Sequence, residues 1–184
     1  HSFSFAGWHN PERMHFGALR VLNDDAVTGG AGFGTHPHDN MEIVSIPLSG
    51  DLEHRDSMGN ATVIREGDVQ IMSAGTGIMH SEENHNADED VRFLQIWVIP
   101  NEQDMTPSYG QITMDLADQN NKLQCVVSPD GEEGVRIHQN AWFLVGRLSA
   151  GWNDRYELHG AGQGVYAMVL EGEATVAGQP LGRR

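Results

Sequence analysis

The chain has 184 residues, enough for one large domain or two small ones, since domains commonly run to roughly 100 to 200 residues. Its 26 acidic against 11 basic side chains give a formal charge of -15, which repels nucleic-acid phosphates and anionic membrane surfaces and argues against direct binding to either. No apolar run approaches the roughly 18 to 20 residues a membrane span needs, and the lone Cys125 excludes an intrachain disulfide, so a reducing, cytoplasmic setting is expected.

In chain order, short β-rich runs are punctuated by Gly, Asn, Asp and Pro, with almost no period near 3.6 residues, which predicts an all-β fold. Strands are expected at Ala18 to Leu22, Met41 to Leu48, Asp51 to Asp56, Ala61 to Arg65, Val69 to Ser73 and Val91 to Ile99. Further on they are expected at Gln111 to Met114, Leu123 to Val127, Val135 to His138, Ala141 to Leu148, Val165 to Leu170 and Glu173 to Val176. Ser49-Gly50-Asp51 and Ser57-Met58-Gly59-Asn60 supply turn chemistry for hairpins. The polar run from Ser128 to Gly134 is the better of two candidate boundaries, which divides the chain into residues 1–130 and 131–184.

Laying Gly50 on Gly172 aligns two hairpins of similar pattern, which suggests two barrels on one plan. That offset puts Leu158, Gly160 and Gly164 opposite His36, His38 and Glu42, so the second barrel is expected to lack metal ligands. The chain starts at His1 and stops at Arg184 amid polar residues, and the second barrel is expected to be incomplete.

The strongest chemical signal is Gly34-Thr35-His36-Pro37-His38, followed some forty residues later by Gly75-Thr76-Gly77-Ile78-Met79-His80-Ser81-Glu82. On an extended strand, residues i and i+2 share a face, so His36 with His38 and His80 with Glu82 can each aim two ligands inward at one ion. Three imidazoles and a carboxylate accept Fe, Mn, Ni, Cu, Co or Zn, with open positions left on an ion that prefers six ligands. Glu42 lies at an even offset from His38, so parity leaves it as either a ligand or a hydrogen-bond anchor. His54 and Asp56, also at i and i+2, read as a structural hydrogen-bond pair ahead of a catalytic dyad. His9, His15, His85 and His138 read as surface or interface residues, and Met14, Phe16, Met41, Met72, Met79, Phe93 and Trp97 as apolar bulk around a cavity.

The stretch from Gly32 to Gly50, with its paired histidines and Glu42, resembles the first motif of the cupins. With His54, Asp56 and Gly59, the run from Gln70 to Glu82 and Leu94-Gln95-Ile96-Trp97-Val98, the chain more closely resembles a pirin-like bicupin. The resemblance implies two cupin-type barrels with one divalent ion, Fe(II) the favoured guess, on His36, His38, His80 and Glu82. It further implies either quercetin 2,3-dioxygenase activity or a non-enzymatic, redox-sensing transcription cofactor that binds a protein partner. For the enzyme, the partners are a small aromatic substrate and O2, and Glu82 is the expected catalytic base.

Overall fold

The computed structural model describes residues 1–115 and 119–184. Among them there is no α-helix, and no helix is long and apolar enough to cross a membrane. By backbone contacts the chain divides into one compact unit, His1–Trp152, and a second, Asn153–Arg184.

Two antiparallel sheets make the body of the first unit. One contains β1 (Leu19–Val27), β8 (Val91–Val98), β3 (Glu42–Ser49), β6 (Asp68–Ser73) and β9 (Ser108–Thr113), in that spatial order. The other contains β2 (Gly32–His38), β7 (Ile78–Asn84), β4 (Leu52–Asp56) and β5 (Ala61–Ile64). A third, smaller sheet is built from β10 (Gln124–Ser128), β11 (Val135–Arg136) and β12 (Phe143–Val145), and β11 lies against β6 and β9.

The alternation of side chains along each strand explains how the two large sheets face one another. Leu52 and Ile64 from the four-stranded sheet pack with Val91 and Phe93 from the five-stranded one, and all four are buried. At the other end Ile43, Met72, Ala74 and Ile78 form a second cluster, flanked by Met41 and Trp97. Between these clusters the facing side chains are polar: Ser45, Gln95, His54, His80 and Glu82 are all buried. A buried polar layer is tolerated only when its members are bonded or hold something, so this layer marks where the fold gives up hydrophobic burial.

β3, β8 and β6 are central in their sheet and their inward and outward faces are both covered, which is why Glu42–Pro47 reads as a continuous apolar run with one glutamate and one serine. The second unit contains a hairpin, β13 (Ala174–Val176) and β14 (Gln179–Leu181), turning through Ala177 and Gly178 at positive φ. Residues Val165 to Leu170, expected as a strand, form none. The run is apolar enough, but a strand is defined by a ladder, and among the described residues this run joins none, with Val165 exposed.

Candidate metal centre

β2 and β7 run antiparallel side by side, and their register decides the site. Phe33 sits opposite Glu82, but His36 sits opposite His80, so one extra residue has been taken up between Phe33 and His36. Without that β-bulge the odd offset from Phe33 to His36 would turn the imidazole to the opposite face. With it, His36, His38 and His80 share the inner face. Their ring centroids lie 4.9 Å (His36 to His38), 4.4 Å (His36 to His80) and 5.0 Å (His38 to His80) apart. One nitrogen from each falls within 4.8 Å of the others.

Protonation follows from burial and from mutual repulsion. His80 is pushed down from 6.5 to about 3, first by burial and then by the neighbouring charges of His36, His38 and His54. His38 is pushed down to about 4, again by burial first and then by His36. At neutral pH both rings are therefore uncharged and carry a free lone pair, the form that a metal ligand requires. His36 has its choice of nitrogen fixed: Nδ1 donates to the Gly34 carbonyl at 2.7 Å, which leaves Nε2 as the lone-pair atom.

The donor set fits a divalent transition-metal ion on an independent ground. Nε2 of His38 and both ring nitrogens of His80 are buried with no hydrogen-bond partner. A buried nitrogen left bare costs on the order of 1 to 3 kcal/mol, and three of them clustered in one spot are hard to reconcile with packing alone. A cation among the lone pairs removes that deficit for His38 Nε2 and for the one His80 nitrogen that carries a lone pair.

Glu82 lies one alternation further along β7 on the same face, and its carboxylate is fully buried. Ser45 Oγ donates to Oε1 at 2.7 Å and Gln95 Nε2 donates to Oε2. Burial is the leading influence and raises its carboxyl above the usual range, with the Ser45 bond and the His54 charge opposing. Glu82 lines the same cavity as His36 and His38, but it is not among the donors that converge within 4.8 Å.

Glu42 goes elsewhere. Its Oε2 accepts from Ser73 Oγ at 2.8 Å and from the His138 amide at 3.1 Å, with His138 Nδ1 at 3.4 Å. Parity counted from His38 does not carry to Glu42 because the chain turns between β2 and β3, with Asn40 at φ 46°. His54 and Asp56 do form the expected hydrogen-bond pair, Nε2 to Oδ2 at 3.1 Å, and both side chains are buried. His85 reaches Glu53 at the surface, at 3.0 Å.

His36 and His38 border a cavity of about 50 Å³, lined also by Phe5, Asp25, Phe33, Glu82, Gln95 and Trp97. Trp97 packs edge-on to His38, at 4.8 Å, and Phe5 packs edge-on to Trp97, at 5.3 Å. Of the residues expected as apolar bulk, Trp97 forms this wall, Met41 and Met72 support it from the adjoining cluster, and Phe93 belongs to the other cluster. Met79 and Phe16 are exposed. Phe5, Asp25, Phe33, Ser45 and Gln95 were not foreseen. The inward parity of Ser45 and Gln95, polar residues within otherwise apolar runs, was the available signal for those two.

The comparisons agree with this architecture. The family model described as Pirin matches residues 1–98, and that of the quercetinase C-terminal cupin domain matches residues 125–184. A quercetin 2,3-dioxygenase of Escherichia coli K12 is 42% identical over 185 residues, covering 97% of this chain and 76% of that protein. The crystal structure of YhhW from E. coli superposes with a TM-score of 0.84 at 40% identity, covering 98% of this chain and 76% of that one. A structure of bacterial pirin YhhW from E. coli in complex with nickel(II) gives a TM-score of 0.80 at 37% identity, covering 100% and 78%. An all-β chain with a three-imidazole centre, matched by the Pirin model over more than half its length, belongs to the pirin family and has the cupin fold.

Proposed function

We propose that this protein is a metal-dependent oxidoreductase of the quercetin 2,3-dioxygenase type, which opens a flavonol with O2 and releases carbon monoxide. The observation that carries the reading is the convergence of three imidazoles, His38 and His80 among them with buried, unpartnered nitrogens, beside an aromatic-lined cavity. The E. coli relative of that name supports it.

His36, His38 and His80 would hold the ion, with Glu82 as the fourth ligand or as the base beside it. Fe(II) is the favoured ion, and Mn, Ni, Cu, Co and Zn suit the same donors. When bound, the ion supplies a Lewis-acidic point for the flavonol's 3-oxygen and for dioxygen. The protein's own part is to take the 3-hydroxyl proton on a Glu82 carboxylate oxygen, which burial makes a stronger base than an ordinary glutamate. Ser45 and Gln95 hold that carboxylate in place, so the proton acceptor is fixed in position before substrate arrives.

Phe5, Phe33 and Trp97 give flat apolar walls that suit a planar ring and exclude water. The present cavity of about 50 Å³ is large enough for water or dioxygen but well below the roughly 300 Å³ of a drug-sized site. Entry of a three-ring flavonol therefore requires the wall to open. Phe5 is the natural moving part, since it sits in a short turn bridged to Trp8 with Ala6 at φ 47°. Residues 131–184 are proposed as part of a C-terminal barrel that contributes no metal ligand.

Protein loaded anaerobically with Fe(II) should consume quercetin on admission of O2 and release carbon monoxide in equal amount. Quercetin loss without carbon monoxide, or no loss with any of the six metals, would refute the proposal.

A further inference from the structure

His54 and Asp56 stand in register with the site without belonging to it. In the β4/β7 ladder His54 is directly opposite Glu82 and Asp56 directly opposite His80. The His54 ring lies between two others: 5.5 Å from His80, tilted 48°, and 5.0 Å from Tyr109, tilted 34°. Tyr109 is itself fixed by bonds to Thr62 at 2.6 Å and Gln111 at 2.8 Å, and it belongs to the opposite sheet. His54 thus links a metal-ligand imidazole on one sheet to an anchored phenol on the other.

Asp56 fixes the ring in its plane. Its carboxylate accepts from His54 Nε2, from Asn60 Nδ2 at 2.7 Å and from the backbone amides of Met58 and Asn60. Because the carboxylate only accepts, the His54 proton is on Nε2 and Nδ1 is bare. That Nδ1 is buried with no partner. A side chain kept only for packing would be served as well by a phenyl group, without a bare buried nitrogen.

We propose that His54, oriented by Asp56, is the positioning residue for His80 and through it sets how tightly and in what geometry the three-imidazole centre holds its ion. The inference rests on the metal centre and is independent of the reaction proposed above. Groups that orient a ligating imidazole typically change metal affinity by 10- to 100-fold when removed.

The test uses Co(II) as probe on the full chain, with affinity read by chelator competition and geometry by the visible d–d bands. His54→Ala should weaken Co(II) binding 10- to 100-fold and shift the bands. His54→Phe keeps the ring contacts, His54→Gln keeps a donor for Asp56, and each should restore part of the loss. Asp56→Asn, which sets an amide against Nε2, should shift the bands with His54 still present. If His54→Ala does not fold, the Phe, Gln and Asn variants decide alone. Folded variants that bind Co(II) within twofold of wild type with unchanged bands, even with a lowered Tm, would overturn the proposal and leave His54 a packing residue. Carbon monoxide release plays no part in this readout, so failure of the proposed reaction leaves the result interpretable.

Discussion

Acidifying the metal-free protein should destabilise it through His38 and His80. Both have folded-state pKa values below their unfolded value of 6.5, at about 4 and about 3. The unfolded chain therefore binds protons first, and the stability the two neutral rings contribute is fully present above pH 6.5 and lost as pH falls toward 4 and 3. At pH 4.5 each ring alone would account for about 2.5 kcal/mol. Part of each depression is the repulsion they share with His36, so the two together are worth about 3 to 5 kcal/mol. For a chain of this size that is a fall in Tm of roughly 10 °C or more between pH 7.5 and 4.5. Carboxylates titrate over the same range, so the reference is the double variant His38→Leu/His80→Leu, which keeps the carboxylates and the apolar volume. Thermal unfolding of both chelator-treated proteins across pH 7.5 to 4.5 measures the difference. A wild-type midpoint that falls no more steeply than that of the double variant would show that the buried imidazoles are not held neutral at a cost.

Other perturbations separate the parts of the site. Glu42→Gln should retain a full complement of metal by elemental analysis, and Glu42→Ala should cost about 3 kcal/mol in denaturant unfolding by stranding Ser73 and the His138 amide, again without metal loss. Glu82→Gln should lower turnover about 100-fold or more while moving Tm by only a few degrees, because the amide keeps an acceptor for Ser45; equal losses of activity and stability would place Glu82 in the scaffold. Gly75→Ala should cost about 2 to 4 kcal/mol, since Gly75 has φ 48° and a Cβ there would meet the Met105 carbonyl at 2.0 Å. Gly59→Ala, at φ 97° but with open space around it, should cost only about 1 kcal/mol by the same assay.

Much of this was legible from local pattern. The paired histidines and His80 with Glu82 obeyed strand parity because each pair lies within one uninterrupted stretch of backbone. Parity left Glu42 open between ligand and hydrogen-bond anchor, and it could not decide because the count restarts across the turn at Asn40. β2 and β7 were absent from the expected strands, since Gly-Phe-Gly-Thr-His-Pro-His and Ile-Met-His-Ser-Glu-Glu-Asn trade strand-forming residues for ligands. Val165 to Leu170 erred the other way, apolar by sequence but without a ladder to join. Ser45 and Gln95 could not be tied to Glu82 in advance, because no local spacing encodes contacts 37 and 13 residues apart across two sheets.

The bulge between Phe33 and His36 gives β2 one residue more than its partner needs, three steps against two on β7. An in-frame loss of the codon for Gly34 or Thr35 would remove that surplus, let β2 pair with β7 in plain alternation and leave His36 opposite His80, both histidines still inward. Such a deletant would lose only the local kink and twist that the extra residue adds. Sequences of this kind can thus shorten the strand by one codon there without re-aiming a single ligand.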